Sequence, residues 1–320
     1  MMVLYLVIPC YNESEVLPET VRRLDGILEG MVKTGKIDEK SRALYVNDGS
    51  KDNTWELIKE YAGSHPFVTG LCLSRNRGHQ NALLAGLMEA KKHADAVISL
   101  DADLQDDVNA IEKMVDAFHE GNDIVYGVRS SREKDTWFKK TTAEGFYHVM
   151  KFLGVEIVFN HADYRLMSRR ALEGLEEFDE VNLFLRGIIP QIGYPSTTVT
   201  YERGERFAGE SKYPLKKMLA FAFEGITSFT IRPIRFVSML GAISFLVSLI
   251  MLVYCLVSYF TGNVVSGWAS LGVSIWALGG LQLLSLGVIG EYIGKIYLET
   301  KHRPRYIVKE TVGFDSTEER

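Results

Sequence analysis

The sequence predicts an α/β domain built on a mainly parallel sheet, followed by two apolar helices long enough to cross a bilayer. Three observations predict it. Short apolar runs alternate with amphipathic segments from Val3 to Tyr126, the pattern of a sheet covered by helices. Each run ends in a cluster of polar residues. No Asp, Glu, Lys or Arg occurs between Phe236 and Gly290.

Taken in order, Val3–Ile8 reads as a first strand and Pro9-Cys10-Tyr11-Asn12-Glu13 as the loop at its end. Ser14 is a candidate cap for a helix with Leu17, Val21, Leu24 and Leu28 at helical spacing. Ala43–Val46 is a second strand ending in Asn47-Asp48-Gly49-Ser50, where Gly49 permits a tight turn. Asp52 or Asn53 would cap the helix of Trp55–Tyr61. Val68–Leu73 is a third strand, and Ser74-Arg75-Asn76-Arg77-Gly78 leads into a helix from His79 to about Lys92. A strand at Val97–Leu100, a helix near Val108–His119 and a strand at Asp123–Tyr126 complete the alternation.

The fourth strand runs into Asp101-Ala102-Asp103-Leu104-Gln105-Asp106. Two carboxylates one residue apart and a nearby amide oxygen form a hard, oxygen-only donor set suited to Mg²⁺ or Mn²⁺. An acidic loop capping the next helix would account for a lone D-x-D. Asn12, Asp48, Arg75, Asp101 and Asp103, however, all fall at the carboxyl ends of strands, where open α/β sheets bind ligands. One pocket explains that recurrence better than four solvated loops.

Composition narrows the class. In 320 residues with a net charge of −5 nothing favours nucleic acid as a partner. Cys10, Cys72 and Cys255 have no paired spacing, which fits a reducing compartment and neither a disulfide framework nor a zinc site. The chain opens directly on a strand, so no cleaved leader is expected.

The uncharged stretch divides at Thr261–Gly267 into spans at 236–260 and 268–289, each exceeding the ~20 residues that cross a bilayer. Arg232 and Arg235 precede the pair, and Lys295, Lys301, Arg303 and Arg305 follow it. The positive-inside rule then places both termini in the cytoplasm and the short loop outside, in a multi-pass plasma-membrane protein. Gly279, Gly280, Gly287, Gly290 and Gly294 allow close helix approach, within the hairpin or in a homo-oligomer. Leu215, Leu219, Phe223 and Ile226 share one helical face, the pattern of an interfacial helix over 213–235. The expected organisation is a cytoplasmic domain over 1–212, this interfacial segment, the two spans, and a tail over 290–320 whose polar end lacks fixed structure.

With these residues in view, the chain resembles the family 2 glycosyltransferases of the GT-A fold, and within them the polyprenyl-phosphate glycosyltransferases. The resemblance rests on V-I-P-C-Y-N-E (Val7–Glu13), V-N-D-G-S (Val46–Ser50), N-R-G (Asn76–Gly78), D-A-D-L-Q-D (Asp101–Asp106), D-Y-R-L (Asp163–Leu166), G-E-S-K-Y (Gly209–Tyr213) and the apolar hairpin. It implies a nucleotide-sugar donor, a polyprenyl-phosphate acceptor and Mg²⁺ or Mn²⁺. Pro9, Tyr11, Glu13 and Asp48 would hold the base and ribose. Asp101 would contact the ribose or assist the metal, which Asp103 and Gln105 bind. Arg206 and Lys212 would close on the donor diphosphate, and Arg129 with Lys139 would face the lipid phosphate; planar Arg forks suit such oxygens. The two-span tail is similar to that of the bacterial undecaprenyl-phosphate branch, for which UDP-glucose or UDP-N-acetylglucosamine is the expected donor. A mannose-synthase type using GDP-mannose is the alternative.

A phosphate acceptor is already largely ionised near neutrality, its second pKa being about 6. The site therefore needs orientation and charge neutralisation more than a base. If a carboxylate assists, Asp163 and Asp106 are the candidates; Asp163 alternatively positions Arg165 through an ion pair. Two other classes compete. A non-catalytic scaffold would not need Asp48, Asp101, Asp103, Gln105 and Lys212, and a nucleotidyltransferase would carry a glycine-rich loop after the first strand, where none occurs.

Overall fold

The apolar runs pair into one eight-stranded sheet in a computed structural model that describes residues 1–130, 161–181, 183–202, 232–261 and 267–314. The strands are β1 (Leu4–Cys10), β2 (Arg42–Asn47), β3 (Val68–Leu73), β4 (Ala96–Ser99), β5 (Ile124–Arg129), β6 (His161–Ser168), β7 (Ser196–Tyr201) and β8 (Val308–Val312), in the order β7-β5-β6-β4-β1-β2-β3-β8. β4, β1, β2 and β3 are mutually parallel, and β5 pairs parallel with β7. β6 runs antiparallel between β4 and β5, and β8 antiparallel along β3. The mainly parallel, helix-covered sheet expected from the sequence is present.

The helices fall where the periodicity placed them. α1 (Leu17–Lys33), α2 (Thr54–Ser64) and α4 (Ala110–His119) cover one face, and α3 (His79–Ala90) covers the other. In β1, alternation sends Leu4, Leu6 and Ile8 into the core shared with Leu17, Leu24 and Leu28 of α1. Val7 points the other way, against α3. There Gly86 lets the helix approach closely, since a Cβ would lie 2.4 Å from Val7 and 2.6 Å from Val46. Burying such side chains contributes roughly 1.5–3 kcal/mol each.

Several local details depart from the sequence reading. α1 is capped by Val16 with no side-chain bond, not by Ser14, and Pro18 starts its first turn. Asp52 accepts the Thr54 N–H at the start of α2, where Asn53 makes no capping bond. The second apolar helix continues past residue 289 to Glu299.

The largest difference is the tail. Expected to lack structure from Glu310 onward, it forms β8 as far as Val312, while residues 315–320 lie outside the described residues. Val312 pairs with Gly70 and Glu310 with Cys72; the Ser74 N–H donates to Ile307 O at 2.9 Å. Glu310 bonds the Trp55 indole, and Phe314 packs on His93. Polar side chains concealed the strand because an edge strand presents only one side to the core.

The chain divides into two compact units, the sheet unit and one that holds the two long helices. Those helices, Arg232–Phe260 and Trp268–Glu299, contact each other and expose Phe245, Ile250, Leu283 and Leu284 among other apolar side chains. Both contain stretches long and apolar enough to cross a membrane, Arg232–Met251 and Ala277–Glu299, and neither stretch is buried.

Candidate functional site

The sheet's direction gathers one edge. The carboxyl ends of β1, β2, β3, β4, β5 and β7 and the amino end of antiparallel β6 lie together. Ser99 pairs with Arg165, so Asp163 comes level with the chain leaving β4 at Asp101. Pro9, Tyr11, Glu13, Asp48, Asp101, Asp103, Gln105, Asp106, Arg129, Asp163 and Arg165 all stand on this edge. Lys139, Arg206 and Lys212 lie outside the described residues, as does the segment 213–231.

Two loops on the β1–β2 side are stitched together. Asn12, at φ 55°, donates its N–H to Ser50 Oγ and accepts from Lys51 N at 2.8 Å, while Glu13 N–H donates to Thr54 Oγ1. Asp48 is buried and clamps the next loop: Oδ1 accepts the Arg77 N–H at 2.7 Å and Oδ2 the Gly78 N–H at 2.9 Å. Burial raises its pKa, and those two N–H groups oppose the rise. Gly49, at φ 64°, fits beneath the same loop; a Cβ there would lie 2.6 Å from Asn76 N.

The D-A-D stretch is held from below. Thr20 Oγ1 of α1 donates to Ala102 O at 2.9 Å. Leu104, nearly buried, adopts φ 55°, a conformation uncommon for a bulky residue and frequent at ligand-binding turns. Asp103 Oδ1 accepts the Gln105 N–H at 3.2 Å. Among the described residues no group of three or more His, Cys, Asp or Glu is clustered to hold a metal. The donor set of Asp101, Asp103 and Gln105 nevertheless suits a cation that takes one or two carboxylates from protein and its remaining ligands from a diphosphate and water.

Asp163 is the centre of charge. At 6% exposure it receives Arg165 Nη2 on Oδ1, Arg186 Nε on Oδ1 at 3.2 Å and Arg186 Nη2 on Oδ2 at 3.0 Å. Burial alone would raise its pKa; Arg186, His79 and Arg165 overcome that and hold it well below the usual carboxylate range. Arg165 is 1% exposed, and among the described residues its Nε and Nη1 have no hydrogen-bond partner. His79 Nε2 lies 3.6 Å from Asp163 and 3.7 Å from Asp101, bridging the two acids. Lost hydration pushes Asp101 up to about 6, against the pull of His79 and with the help of Asp163, Asp106 and Asp103.

On the far side Tyr201 donates to Asp106 Oδ1 at 2.5 Å. Arg129 Nε donates to Tyr201 Oη at 3.4 Å, and its Nη2 is 3.7 Å from Asp106. The site thus joins Asp106 to Arg129 through a tyrosine, and Asp101 to Asp163 through a histidine. Sequence patterns had not singled out His79, Gln80, Arg186 or Tyr201. The one available signal was Arg186, a lone charge in the apolar run Leu183–Ile189.

Comparison with known proteins gives the family. The family model described as glycosyl transferase family 2 matches residues 5–175. An uncharacterized glycosyltransferase, YkoT, of Bacillus subtilis (strain 168) is 53% identical over 96% of this chain and 91% of its own. The bactoprenol glucosyl transferase of Shigella phage SfV is 42% identical over 95% of this chain and 97% of its own. A solved structure, the glucosyl-3-phosphoglycerate synthase of Mycobacterium tuberculosis, is 16% identical with a TM-score of 0.43, covering 71% of this chain and 78% of that one. The chain belongs to glycosyl transferase family 2.

Proposed function

We propose that the protein transfers one sugar from a nucleotide sugar to a polyprenyl phosphate, inverting the anomeric configuration, at the cytoplasmic face of the membrane. The observation that carries this reading is the pairing, in one chain, of an acid- and arginine-lined site at the strand ends with two long, unburied apolar helices. The relatives named bactoprenol glucosyl transferases support the lipid acceptor and favour glucose; UDP-glucose leads and UDP-N-acetylglucosamine follows. The chain leaves the sheet unit for the helices and returns to it as β8, which supports a hairpin with both ends on one side of the membrane.

The chemistry follows from the residues. An ionised phosphate oxygen attacks the anomeric carbon as the bond to the nucleoside diphosphate breaks, and no proton has to be removed from the acceptor. Asp163, depressed and engaged by two guanidinium groups, is a poor base; its task is to fix cations. Arg129, oriented by Tyr201, is suited to the acceptor phosphate, and Arg206, Lys212 and Lys139 add cations to the same two phosphate-bearing substrates. Pro9, Tyr11, Glu13 and Asp48 frame the nucleotide end. Mg²⁺ or Mn²⁺, held by Asp103 and Gln105 with Asp101, would supply charge neutralisation for the departing diphosphate.

The test uses purified protein in detergent with undecaprenyl phosphate, Mg²⁺ or Mn²⁺ and a panel of labelled nucleotide sugars, GDP-mannose included. Label from one donor should enter the lipid phase and be lost with EDTA and in Asp103→Ala. No transfer from any donor, with no donor bound, would overturn the reading.

A further inference from the structure

The segment Arg77–Gln80 touches four separate parts of the site. Its first two N–H groups bind Asp48, and His79 lies between Asp101 and Asp163. Gln80, in the first turn of α3, reaches across the edge: its Oε1 accepts the Leu185 N–H at 3.1 Å, over 105 residues of sequence. Leu185 opens the single helical turn Leu185–Ile188, whose preceding residue, Phe184, offers no side-chain cap. The first N–H groups of a helix have no partner within it. Gln80 therefore supplies from another helix the acceptor that this turn lacks. The next residue after Leu185 is Arg186, which grips Asp163 with two bonds.

We propose that Gln80 is a positioning residue for sugar transfer. By capping the turn at Leu185 it fixes the main chain from which Arg186 holds Asp163, and so sets the distance of that ion pair from Asp101. The inference rests on the glycosyltransferase reading for its consequence in rate, but the positioning itself can be read without turnover.

Full-length Gln80→Leu and Gln80→Glu proteins separate the bond from the packing, because glutamate keeps an oxygen acceptor and leucine removes it. In the transfer assay Gln80→Leu should lower kcat about 10- to 100-fold, the size expected when a reacting group is misplaced by about an ångström. The KM for the nucleotide sugar should stay within about threefold, since the nucleotide loops are untouched, and Gln80→Glu should recover most of the rate. Hydrogen exchange gives the second readout: peptides covering 183–190 should exchange faster in Gln80→Leu and regain protection in Gln80→Glu, with α3 unchanged. Wild-type kcat in Gln80→Leu, or equal impairment of both variants, overturns the proposal. If the wild type transfers no sugar, the functional reading fails; unchanged exchange at 183–190 in Gln80→Leu would then reject the positioning role, and faster exchange would uphold it.

Discussion

Arg186 meets Asp163 side-on, Nε to Oδ1 at 3.2 Å and Nη2 to Oδ2 at 3.0 Å, while Arg165 binds Oδ1 from within the sheet. One buried carboxylate thus carries two guanidinium groups. Replacing it by Asn removes the one acidic group that, among the described residues, is bonded to buried Arg165. Asp163→Asn should therefore lose about 3–5 kcal/mol of stability, read from urea unfolding of the sheet unit's signal. Arg186→Lys keeps the charge but not the fork. It should stay folded and lose activity about 10-fold or more, roughly the 1.4 kcal/mol of one good hydrogen bond; a kcat within twofold of wild type would show that the two-bond grip is dispensable.

Asp101 gives a pH dependence of definite sign. Its folded pKa, raised to about 6, exceeds the unfolded value of roughly 3.9. The unfolded chain thus gives up this proton first as pH rises, so the group's contribution is fully favourable below about 4 and is lost as pH climbs through about 6. Asp101→Asn should accordingly melt higher than wild type at pH 7.5 in EDTA, and the gain should shrink toward pH 5. Parallel melting curves across that range would remove the assignment. The side chain is partly open to water, so the effect should be small.

Gly49 and Asp48 fix the loop that α3 grows from. Gly49→Ala combines a positive φ with a Cβ 2.6 Å from Asn76 N and should cost about 1–3 kcal/mol. Asp48→Asn leaves one of the two N–H groups without an acceptor and the other with a neutral one, a loss of about 1.5–3 kcal/mol. Chemical denaturation of both variants checks the pair; if either unfolds with wild type, this loop is not held as described.

Tyr201→Phe keeps the ring that packs edge-on against Tyr164 at 5.2 Å and deletes the hydroxyl between Asp106 and Arg129. Fold stability should change little beyond about 1 kcal/mol, whereas the KM for the lipid phosphate should rise several-fold as Arg129 loses its orientation. An unchanged acceptor KM would separate Arg129 from acceptor binding.

What could be read from the sequence was what repeats locally. Period and turn chemistry located β1 to β5 and α1 to α4 within a few residues, and the acids at the strand ends identified the edge. β6 escaped notice because its pattern, His161–Ser168, mixes Asp163 and Arg165 with apolar residues; its charges are buried only because they pair with each other and with Arg186. His79 and Gln80 looked like ordinary helix starters. Their partners lie at Asp101, Asp163 and Leu185, contacts that exist only after the strand order β6-β4-β1 is set. β8 was hidden for a different reason, since its pairing is supplied by the backbone of β3 and not by its own side chains.

That last strand has a consequence for how the molecule is made. β1 to β7 leave the ribosome before the two apolar helices, and β8 leaves after them. The sheet therefore spends the synthesis of more than a third of the chain with the N–H and C=O groups of β3 unsatisfied along one edge. A nascent or prematurely ended chain carries a free edge able to recruit a strand from a neighbour. Chaperone dependence should accordingly be greatest for chains that end between Lys301 and Val308, and should fall once Val312 has been added.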